Sequence, residues 1–250
     1  MKKYSILMFN FHNYEILREP YELDDSCEYI YVTDNKELKS NKWKIIHTSE
    51  FKDKSPLYSS FYVRYHPFKY VNTNTCFIID GSIQIKKSLS SIYEMFNKSN
   101  THCMLSSNAF GHTFLEEISW WIKNRGTKEK NLEKTKHLIK KLNLENYRGS
   151  FEIGFRAIKN IEINNDLNDY VWNYLNFLKT DNELPRIDQI IFGIVFNEHF
   201  KNMKVMNVTR QAIQSDFLQY CYHNTNKPVI LKLDYDKVYF RNTKIKPILL

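Results

Sequence analysis

The chain is predicted to fold as one α/β domain with a mostly parallel central sheet covered by helices on both faces. Short apolar segments typical of buried strands alternate with amphipathic helical segments over the first two thirds of the sequence. Glycine and proline number only six each in 250 residues, which disfavours an all-β sandwich with many tight turns. The sequence shows no internal repeat and no low-complexity linker. These observations favour regular elements joined by few breaks.

The predicted elements follow one another along the chain. The predicted strands are 4–9, 28–32, 43–47, 76–79, 102–105, 151–158 and 204–208. The predicted helices are 57–70, 89–96, 113–123, 131–142, 166–179 and 185–200. Thr113 and Glu116 form a capping box at the start of one helix. The charged stretch 126–130 is the best hinge candidate, and it divides the domain into a half 1–125 and a helix-rich half 126–250.

The composition is that of a basic globular protein. Hydrophobic residues make up 42% and charged residues 26% of the chain, which excludes a disordered protein. The formal net charge of +8 indicates an anionic partner, such as nucleic acid, an acidic membrane surface or a phosphorylated small molecule. The densest lysine cluster, 128–141, also contains Glu129 and Glu133. That mixture is typical of a solvated helix face rather than of a nucleic-acid stripe.

The cysteines and the apolar runs predict the compartment. Four cysteines are far apart and show no CxxC or zinc-ligand spacing, so we expect buried free thiols in a reducing cytoplasm. The apolar run that follows Met1 is too short for a signal peptide and is predicted to be the first strand. No apolar run approaches the roughly 18–20 residues of a membrane span. We therefore expect a cytoplasmic protein, soluble or peripheral to the inner membrane.

The segment around Asp80 is the first candidate site. An apolar run, 76–79, is interrupted by Asp80, Gly81 and Ser82, which places a carboxylate at the end of a strand buried on both faces. Ligands of open α/β sheets bind outside the carboxyl ends of strands, and an aspartate there is well placed to hold a divalent cation that neutralises a diphosphate. An ordinary turn, in which aspartate is a common residue, explains the same segment equally well.

Two further polar groups follow predicted strands. Asn10 and His12 come after the first strand, and Asp34 comes after the second. Together with Asp80, they make three polar groups that converge on one edge of the sheet, and this convergence indicates a ligand site. The sequence contains no GxGxxG, P-loop, GxSxG, HExxH or kinase motif. It therefore lacks the phosphate-binding turn that is essential in Rossmann dehydrogenases and in P-loop NTPases.

The order of these motifs resembles GT-A nucleotide-sugar glycosyltransferases over about residues 4–224. More narrowly, it is similar to a bacterial and plant group of small glycosyltransferase-like proteins known as a domain of unknown function. The resemblance is carried by the YVTD segment 31–34, the FIIDGSI segment 77–83, the helix end Arg64, His66, Pro67 and Phe68, and the helix start Arg186, Asp188 and Gln189. Two departures are Ile187, inserted after Arg186, and Ser82, which stands where many relatives of the wider fold have a second aspartate.

The resemblance implies a glycosyltransferase that uses a nucleotide diphosphate sugar, with UDP as the expected nucleotide. The half 1–125 would bind the donor, and the half 126–250 would bind a glycan or lipid-linked sugar acceptor of the kind used in capsule or lipopolysaccharide biosynthesis. The expected donor-binding residues are Asn10, His12, Asp34, Arg64, Asp80 and Ser82. The expected metal ligands are Asp80 and His223, for Mn²⁺ or Mg²⁺. Asp188 is the expected catalytic base. A peripheral contact with an anionic inner membrane is expected, and nucleic acid is not an expected partner.

Each of these roles has a simpler alternative. Asp188 in the first turn of a helix also compensates the helix dipole, and a lone His223 is more often a surface residue. Trp120 is a candidate platform for sugar stacking, whereas Trp121 fits the core face of its helix. The alternative function is a non-catalytic basic protein that binds glycan or nucleic acid on the same fold. The segment 57–70, with alternating aromatic and basic residues, is the only one that approaches a nucleic-acid pattern.

Overall fold

Seven strands form one central sheet in the computed structural model, which describes residues 1–107, 111–125, 127–181, 183–208, 217–228, 239–240 and 243–244. The strands are β1 (Tyr4–Asn10), β2 (Cys27–Thr33), β3 (Lys44–His47), β4 (Thr75–Ile79), β5 (Ile83–Ile85), β6 (Cys103–Ser107), β7 (Phe151–Lys159), β8 (Val205–Val208), β9 (Leu218–Tyr220), β10 (Tyr239–Phe240) and β11 (Thr243–Lys244). The helices are α1 (Pro56–Tyr65), α2 (Ser90–Lys98), α3 (Phe114–Arg125), α4 (Glu133–Lys141), α5 (Glu162–Phe177) and α6 (Asp188–His199).

The strand order in the central sheet is β3-β2-β1-β4-β7-β6-β8. The first four strands are mutually parallel, and β6 is parallel to β8. Only β7, among the strands of this sheet, runs antiparallel to its neighbours, β4 and β6. The predicted class, an α/β fold with a mostly parallel sheet, is therefore confirmed. The sheet takes strands from both predicted halves of the chain.

Helices cover both faces of the sheet, as predicted. One hydrophobic cluster joins α1, α3, α4, α5 and α6 to one face. A second cluster joins α2 and the small antiparallel sheet β5–β9 to the other face. Pairing of β5 with β9, from the C-terminal part of the chain, was not predicted. It brings the segment 217–228 next to the turn that follows β4.

The end of α1 differs from the predicted helix 57–70 and has a local cause. Ser55 caps the helix by accepting a hydrogen bond from the Tyr58 amide at 3.2 Å. The helix ends at Tyr65 because the residue before Pro67 is disfavoured in the α conformation, and His66 adopts φ −127° and ψ 50°. A single 3₁₀ turn follows at Pro67–Lys69. The early end leaves Arg64 in the last turn of α1.

The start of α6 also differs from the prediction. The helix begins at Asp188 rather than at Pro185, after Ile187 in a non-helical conformation. The capping box of α3 is confirmed, since the Glu116 amide donates to Thr113 Oγ1 at 3.2 Å and the Thr113 amide donates to Glu116 Oε2 at 2.7 Å. Other boundaries lie within a few residues of those predicted.

Several sequence expectations concern the rest of the chain. Position 126 of the proposed hinge, and most of the tail after 214, lie outside the described residues, so the division into a donor half and an acceptor half stays a prediction. All four cysteines are buried and none forms a disulfide, as expected. None of the helices in the described part of the chain combines the length and the apolar composition that a membrane crossing requires.

Candidate functional site

The predicted site lies at the carboxyl edge of the parallel strands. Asn10 at the end of β1 is paired in register with Thr33 at the end of β2, and Leu7 of β1 is paired with Ile78 of β4. Asp34 and Asp80 therefore follow the two strands that flank β1, and both lie at the same edge of the sheet. This edge is the one at which ligands bind in open α/β sheets.

An arginine from α1 joins two carboxylates at this edge. Arg64 Nη2 donates to Asp80 Oδ1, and Arg64 Nη1 donates to Asp188 Oδ2. The guanidinium also lies over the rings of Phe9 and Phe61, at 5.5 and 5.4 Å from their centroids. Residues that are 16 and 124 positions from Arg64 thus meet on one side chain. We call Arg64, Asp80 and Asp188 the arginine–carboxylate triad.

The three members of the triad differ in exposure. The Asp80 side chain is 33% exposed, whereas those of Arg64 and Asp188 are 8% and 10% exposed. Asp80 is therefore the member that a ligand reaches first, and Arg64 and Asp188 lie behind it.

The turn after β4 fixes the position of Asp80. Its backbone amide donates to the Gly154 carbonyl at 2.8 Å, and its carbonyl accepts from the Ile83 amide at 2.9 Å. A Cβ atom at Gly154 would lie 2.9 Å from Asp80 Oδ2. Gly154, in β7, therefore gives the Asp80 carboxylate the space that it occupies.

Burial sets the electrostatics of the triad. Burial raises the pKa of Asp188, and the attraction of Arg64 offsets this only in part. Burial opposes the charge of Arg64, but Asp80 and Asp188 together hold its pKa above the usual value. Burial and the nearby Asp188 raise the pKa of Tyr65, whose hydroxyl lies 3.4 Å from Asp188 Oδ2. A perturbed carboxyl in contact with a partly exposed charge is a common mark of a functional site.

The other expected donor-binding residues are engaged with the protein. The Asn10 side chain donates from Nδ2 to the Glu15 carbonyl at 2.6 Å and accepts at Oδ1 from the Glu15 backbone amide at 3.0 Å. The two Asp34 oxygens accept from the His12 amide at 2.9 and 3.2 Å, which holds the loop after β1 where His12 has a positive φ of 55°. Ser82 accepts, through its carbonyl, from the Cys221 amide at 2.8 Å. Their binding of a donor stays a prediction.

A second buried arginine ties the C-terminal segment to this edge. Arg18 Nη1 donates to Glu15 Oε2 at 3.0 Å and to the Gly81 carbonyl. Arg18 Nη2 donates to the carbonyls of Tyr222 and Thr225, at 3.2 and 2.7 Å. We call this group the Arg18 strap. It holds the loop that contains His223 beside the turn 80–82.

The predicted metal ligands do not form a preassembled centre. His223 Nδ1 is bonded to Glu15 Oε1, and Asp80 is bonded to Arg64. Within the described ranges, no group of three or more histidine, cysteine, aspartate or glutamate side chains could hold a metal ion. The residues fit a cation only if it is held by Asp80 together with donor phosphates, as Mg²⁺ often is. The metal therefore stays a prediction.

The sequence analysis missed five residues that shape the site, namely Glu15, Arg18, Glu117, Gly154 and Arg156. Glu117 is buried in α3 and accepts from Gln189 and Ser150, which ties the start of α6 to α3. A glycine inside an otherwise apolar strand was a usable signal for Gly154. An arginine inside the same strand was a usable signal for Arg156.

The two tryptophans of α3 are placed as expected. Trp121 packs against the main hydrophobic cluster. Trp120 is half-buried, and the Arg125 guanidinium lies 5.7 Å from its ring centroid. Whether Trp120 stacks on a sugar stays a prediction.

Similar solved structures are glycosyltransferases, although the likeness is distant. The apo form of mouse xyloside xylosyltransferase 1 has a TM-score of 0.44 and 13% identity, over 80% of this chain and 83% of that one. The glycosyltransferase GlyE of Streptococcus pneumoniae TIGR4 has a TM-score of 0.47 and 10% identity, over 85% and 46%. The bifunctional glycosyltransferase WbbM also has a TM-score of 0.47 and 10% identity, over 85% and 39%.

This chain thus spans less than half the length of GlyE and of WbbM. No protein-family model and no curated protein matches it. TM-scores below 0.5 transfer no residue role, so the functional assignment depends on the site itself.

Proposed function

We propose that this chain transfers a glycosyl group from a nucleotide diphosphate sugar, with UDP as the nucleotide, to a hydroxyl of a glycan or lipid-linked sugar. The single observation that carries the proposal is the arginine–carboxylate triad at the carboxyl edge of the sheet. A buried guanidinium bridges two carboxylates there, and one of them, Asp80, is open to solvent. The edge is where this type of sheet binds ligands.

In the proposed reaction, the bond between the sugar and the diphosphate breaks, and negative charge develops on the departing diphosphate. A positive group already fixed at that place lowers the barrier because it needs no reorganisation during the reaction. Two carboxylates and two aromatic rings hold the Arg64 guanidinium in place, and it would act on the developing charge by exchanging its bond to Asp80 for one to the diphosphate. The loop held by His12 and Asp34 lies at the same edge and is the proposed place for the nucleoside.

Asp188 is the proposed catalytic carboxylate. Its raised pKa favours taking a proton from an acceptor hydroxyl, because a base works best when its pKa is near the operating pH. Its bonds to Arg64 and Tyr65 hold the carboxylate in one orientation. Acting as a base requires one of its oxygens to face the acceptor.

A divalent cation is proposed as a cofactor held by Asp80 and the donor phosphates, with His223 as a second ligand once it leaves Glu15. Such a cation would supply charge neutralisation for the diphosphate. The protein's own residues would orient it through the turn 80–82, which the Gly154 carbonyl and the Arg18 strap hold in place.

A second candidate function is binding of an anionic glycan or nucleic acid without catalysis. The observation that favours it is the outer face of α1 and α5. The Lys54 and Lys179 ammonium groups lie 5.5 and 5.0 Å from the Tyr58 ring centroid, and Lys69 lies 4.7 Å from the Tyr62 ring centroid. Half-buried aromatic rings beside cations suit such ligands. This surface lies apart from the triad, so variants can separate the two functions.

The proposed acceptor belongs to a cell-surface glycan and, if lipid-linked, would bring the enzyme to an anionic inner membrane. The net charge of +8 supports that contact. Sedimentation with anionic and neutral vesicles would test it, with binding to the anionic vesicles alone as the expected result.

A thermal-shift panel of nucleotides and nucleotide sugars, with and without Mn²⁺, tests the proposed function. A ligand at 100 times its Kd stabilises the native state by about 2.7 kcal/mol, so a donor should raise the melting temperature by several degrees. UDP and at least one UDP-sugar should give this shift, followed by UDP release on longer incubation. No shift with any nucleotide at millimolar concentration would contradict the proposal.

A further inference from the structure

Arg156 is a buried cation in the middle of the central sheet. It lies in β7 between Ile78 of β4 and Leu105 of β6, and its side chain is fully buried. Within the described residues, no carboxylate forms an ion pair with it. The neighbouring strands carry isoleucine and leucine at the paired positions, so an aliphatic residue is the ordinary choice here. Burying an uncompensated charge is costly, and stability therefore does not account for this arginine.

The contacts of Arg156 all lead to helices that pack on one face of the sheet. Nη2 donates to the backbone carbonyl of Arg64, and Nη1 donates to Asn168 Oδ1 in α5 at 3.0 Å. The guanidinium lies 5.0 Å from the ring centroid of Tyr65 and 5.7 Å from that of Phe192 in α6. One side chain thus connects the end of α1 to α5 and α6.

The carbonyl that Arg156 binds would otherwise lack a helical partner. The last four carbonyls of a helix accept no amide from within it, and Arg64 lies in the last turn of α1. Arg156 caps that carbonyl from inside the core and fixes the backbone at Arg64. It also packs on the ring of Tyr65, the next residue. The side chains of Arg64 and Tyr65 both reach Asp188 Oδ2.

The same strand also positions the other carboxylate of the triad. Gly154 and Arg156 are two residues apart in β7, and they therefore lie on the same face of the strand. Gly154 leaves room for the Asp80 carboxylate, and Arg156 holds the backbone from which Arg64 extends. The distance between Arg64 and both of its partners is thus set from one strand.

We propose that Arg156 is a positioning residue of the transfer site, which aims Arg64 at Asp80 and Asp188 without contacting substrate. The inference rests on the proposed function for its activity readout, but its structural basis is independent of the substrate. In this role, a core arginine orients the Arg64 guanidinium, which the proposed glycosyl transfer requires.

A double-mutant cycle in UDP release tests the inference, with whichever UDP-sugar the wild-type protein hydrolyses. Arg156→Met removes the donors and keeps the length, and it should lower kcat by about 10-fold to 100-fold, the usual cost of a small misplacement. In the Arg64→Met background the same change should cost clearly less than in the wild type, because most of the effect of Arg156 passes through Arg64, and only the remainder reaches Asp188 through Tyr65 and through the charge of Arg156. Arg156→Lys, which keeps one donor for the carbonyl, should recover part of kcat.

Lys159→Met is the matched control. Lys159 also belongs to β7 and also donates to a backbone carbonyl just after a helix, Ser99 at 3.1 Å, but it lies on the other face of the strand. The control should keep the wild-type kcat even if its melting temperature falls. An equal fold-decrease of kcat on introducing Arg156→Met into the wild type and into Arg64→Met would overturn the inference.

A crystal structure of Arg156→Met gives a readout that needs no activity. The expected result is an Arg64 guanidinium displaced from Asp188, and an Arg64 that keeps both carboxylates would overturn the inference. If Arg156→Met does not fold, Arg156→Lys replaces it in both the double-mutant cycle and the crystal structure. A wild-type protein that releases no UDP from any UDP-sugar refutes the proposed function, and the crystal structure then decides on the positioning role by itself.

Discussion

Buried carboxylates at the two edges of the central sheet have pKa values that are shifted in opposite directions. At the amino edge, Asp24 accepts four hydrogen bonds of 2.6–2.9 Å, from the Tyr4 hydroxyl, the Ser26 amide and hydroxyl, and the Ser88 hydroxyl. Burial by itself raises the pKa of Asp24, but these hydrogen bonds outweigh it and lower that pKa to about 2. At the carboxyl edge, burial raises the pKa of Asp188 despite its bond to Arg64.

The difference separates a structural carboxylate, Asp24, from the carboxylate that we propose to be catalytic, Asp188. Asp24 has as many donors as an ionised carboxylate needs, so its charge stabilises the fold. Burial disfavours the charge of Asp188 and raises its pKa, and Asp80 adds to this effect, whereas Arg64 offsets it only in part. Sites that keep such disfavoured groups commonly trade stability for function. The following predictions test whether this contrast holds.

The largest expected effect is that of Asp80→Asn at the carboxyl edge. The variant keeps the shape of the side chain and removes the negative charge that would hold the proposed cation beside the diphosphate. We expect turnover of the UDP-sugar to fall by about a thousandfold, at the upper end for loss of one electrostatic group. The circular dichroism spectrum should be unchanged. Full activity with an unchanged metal dependence would make Asp80 an ordinary turn residue.

Asp188→Ala is expected to have the second largest effect. Turnover should fall by about 100-fold or more, the usual contribution of general base catalysis. UDP affinity should change little, because a base acts on the acceptor. If Asp188 is only a structural partner of Arg64 and of the helix dipole, the change instead alters stability and leaves turnover unchanged. Melting temperature and turnover measured on one preparation separate the two outcomes.

Gly154→Ala tests the geometry of the carboxyl edge without removing a charge. The added Cβ would meet Asp80 Oδ2 at 2.9 Å and push the carboxylate away from Arg64. A small displacement of this kind should lower turnover by about 10-fold or more. An unchanged rate would show that the position of Asp80 does not limit the reaction.

The smallest effect on turnover is expected from Asp24→Asn at the amino edge, where stability should change instead. The folded pKa of Asp24 is below its unfolded value, so its contribution to stability is present above about pH 4 and is lost as the pH falls towards 2. The variant should be less stable by about 1 kcal/mol at pH 7, with the deficit shrinking below pH 4. Turnover at pH 7 should match that of the wild type.

Asp188 should show the opposite pH dependence in the same experiment. Its folded pKa is raised, so the wild-type protein binds more protons than the unfolded chain above pH 3.8 and loses stability as the pH rises through the folded pKa. Asp188→Asn should lack this loss. Parallel stability curves for the two variants would contradict the contrast between the edges.

The fold was largely predictable because it depends on apolar periodicity. The buried run at 76–79 and the alternation of strands and helices identified all seven strands of the sheet, each end to within two residues. The capping pair Thr113 and Glu116 identified the start of α3 from side-chain chemistry alone. The antiparallel direction of β7 and the pairing of β5 with β9 depend on contacts between distant segments, which local patterns do not carry.

The site was predictable as a set of residues at one edge, but its connections were not. Arg64, Asp80 and Asp188 were each named from the sequence, whereas their meeting on one guanidinium depends on α1 ending at Tyr65 and α6 starting at Asp188. Arg18 contacts residues more than 200 positions away, and no local pattern encodes such a bond. An arginine inside a buried strand was a usable sequence signal for Arg156, but no comparable signal marks Arg18.

The most decisive experiment is a crystal of this protein soaked with UDP and Mn²⁺. We expect a diphosphate next to Asp80, with the uridine at the edge formed by Asn10 and Asp34. We also expect an Asp80→Asn crystal treated in the same way to show weaker density or none. A nucleotide bound elsewhere on the wild-type protein, or no nucleotide at millimolar concentration, would contradict the claim that this edge is a nucleotide-sugar site.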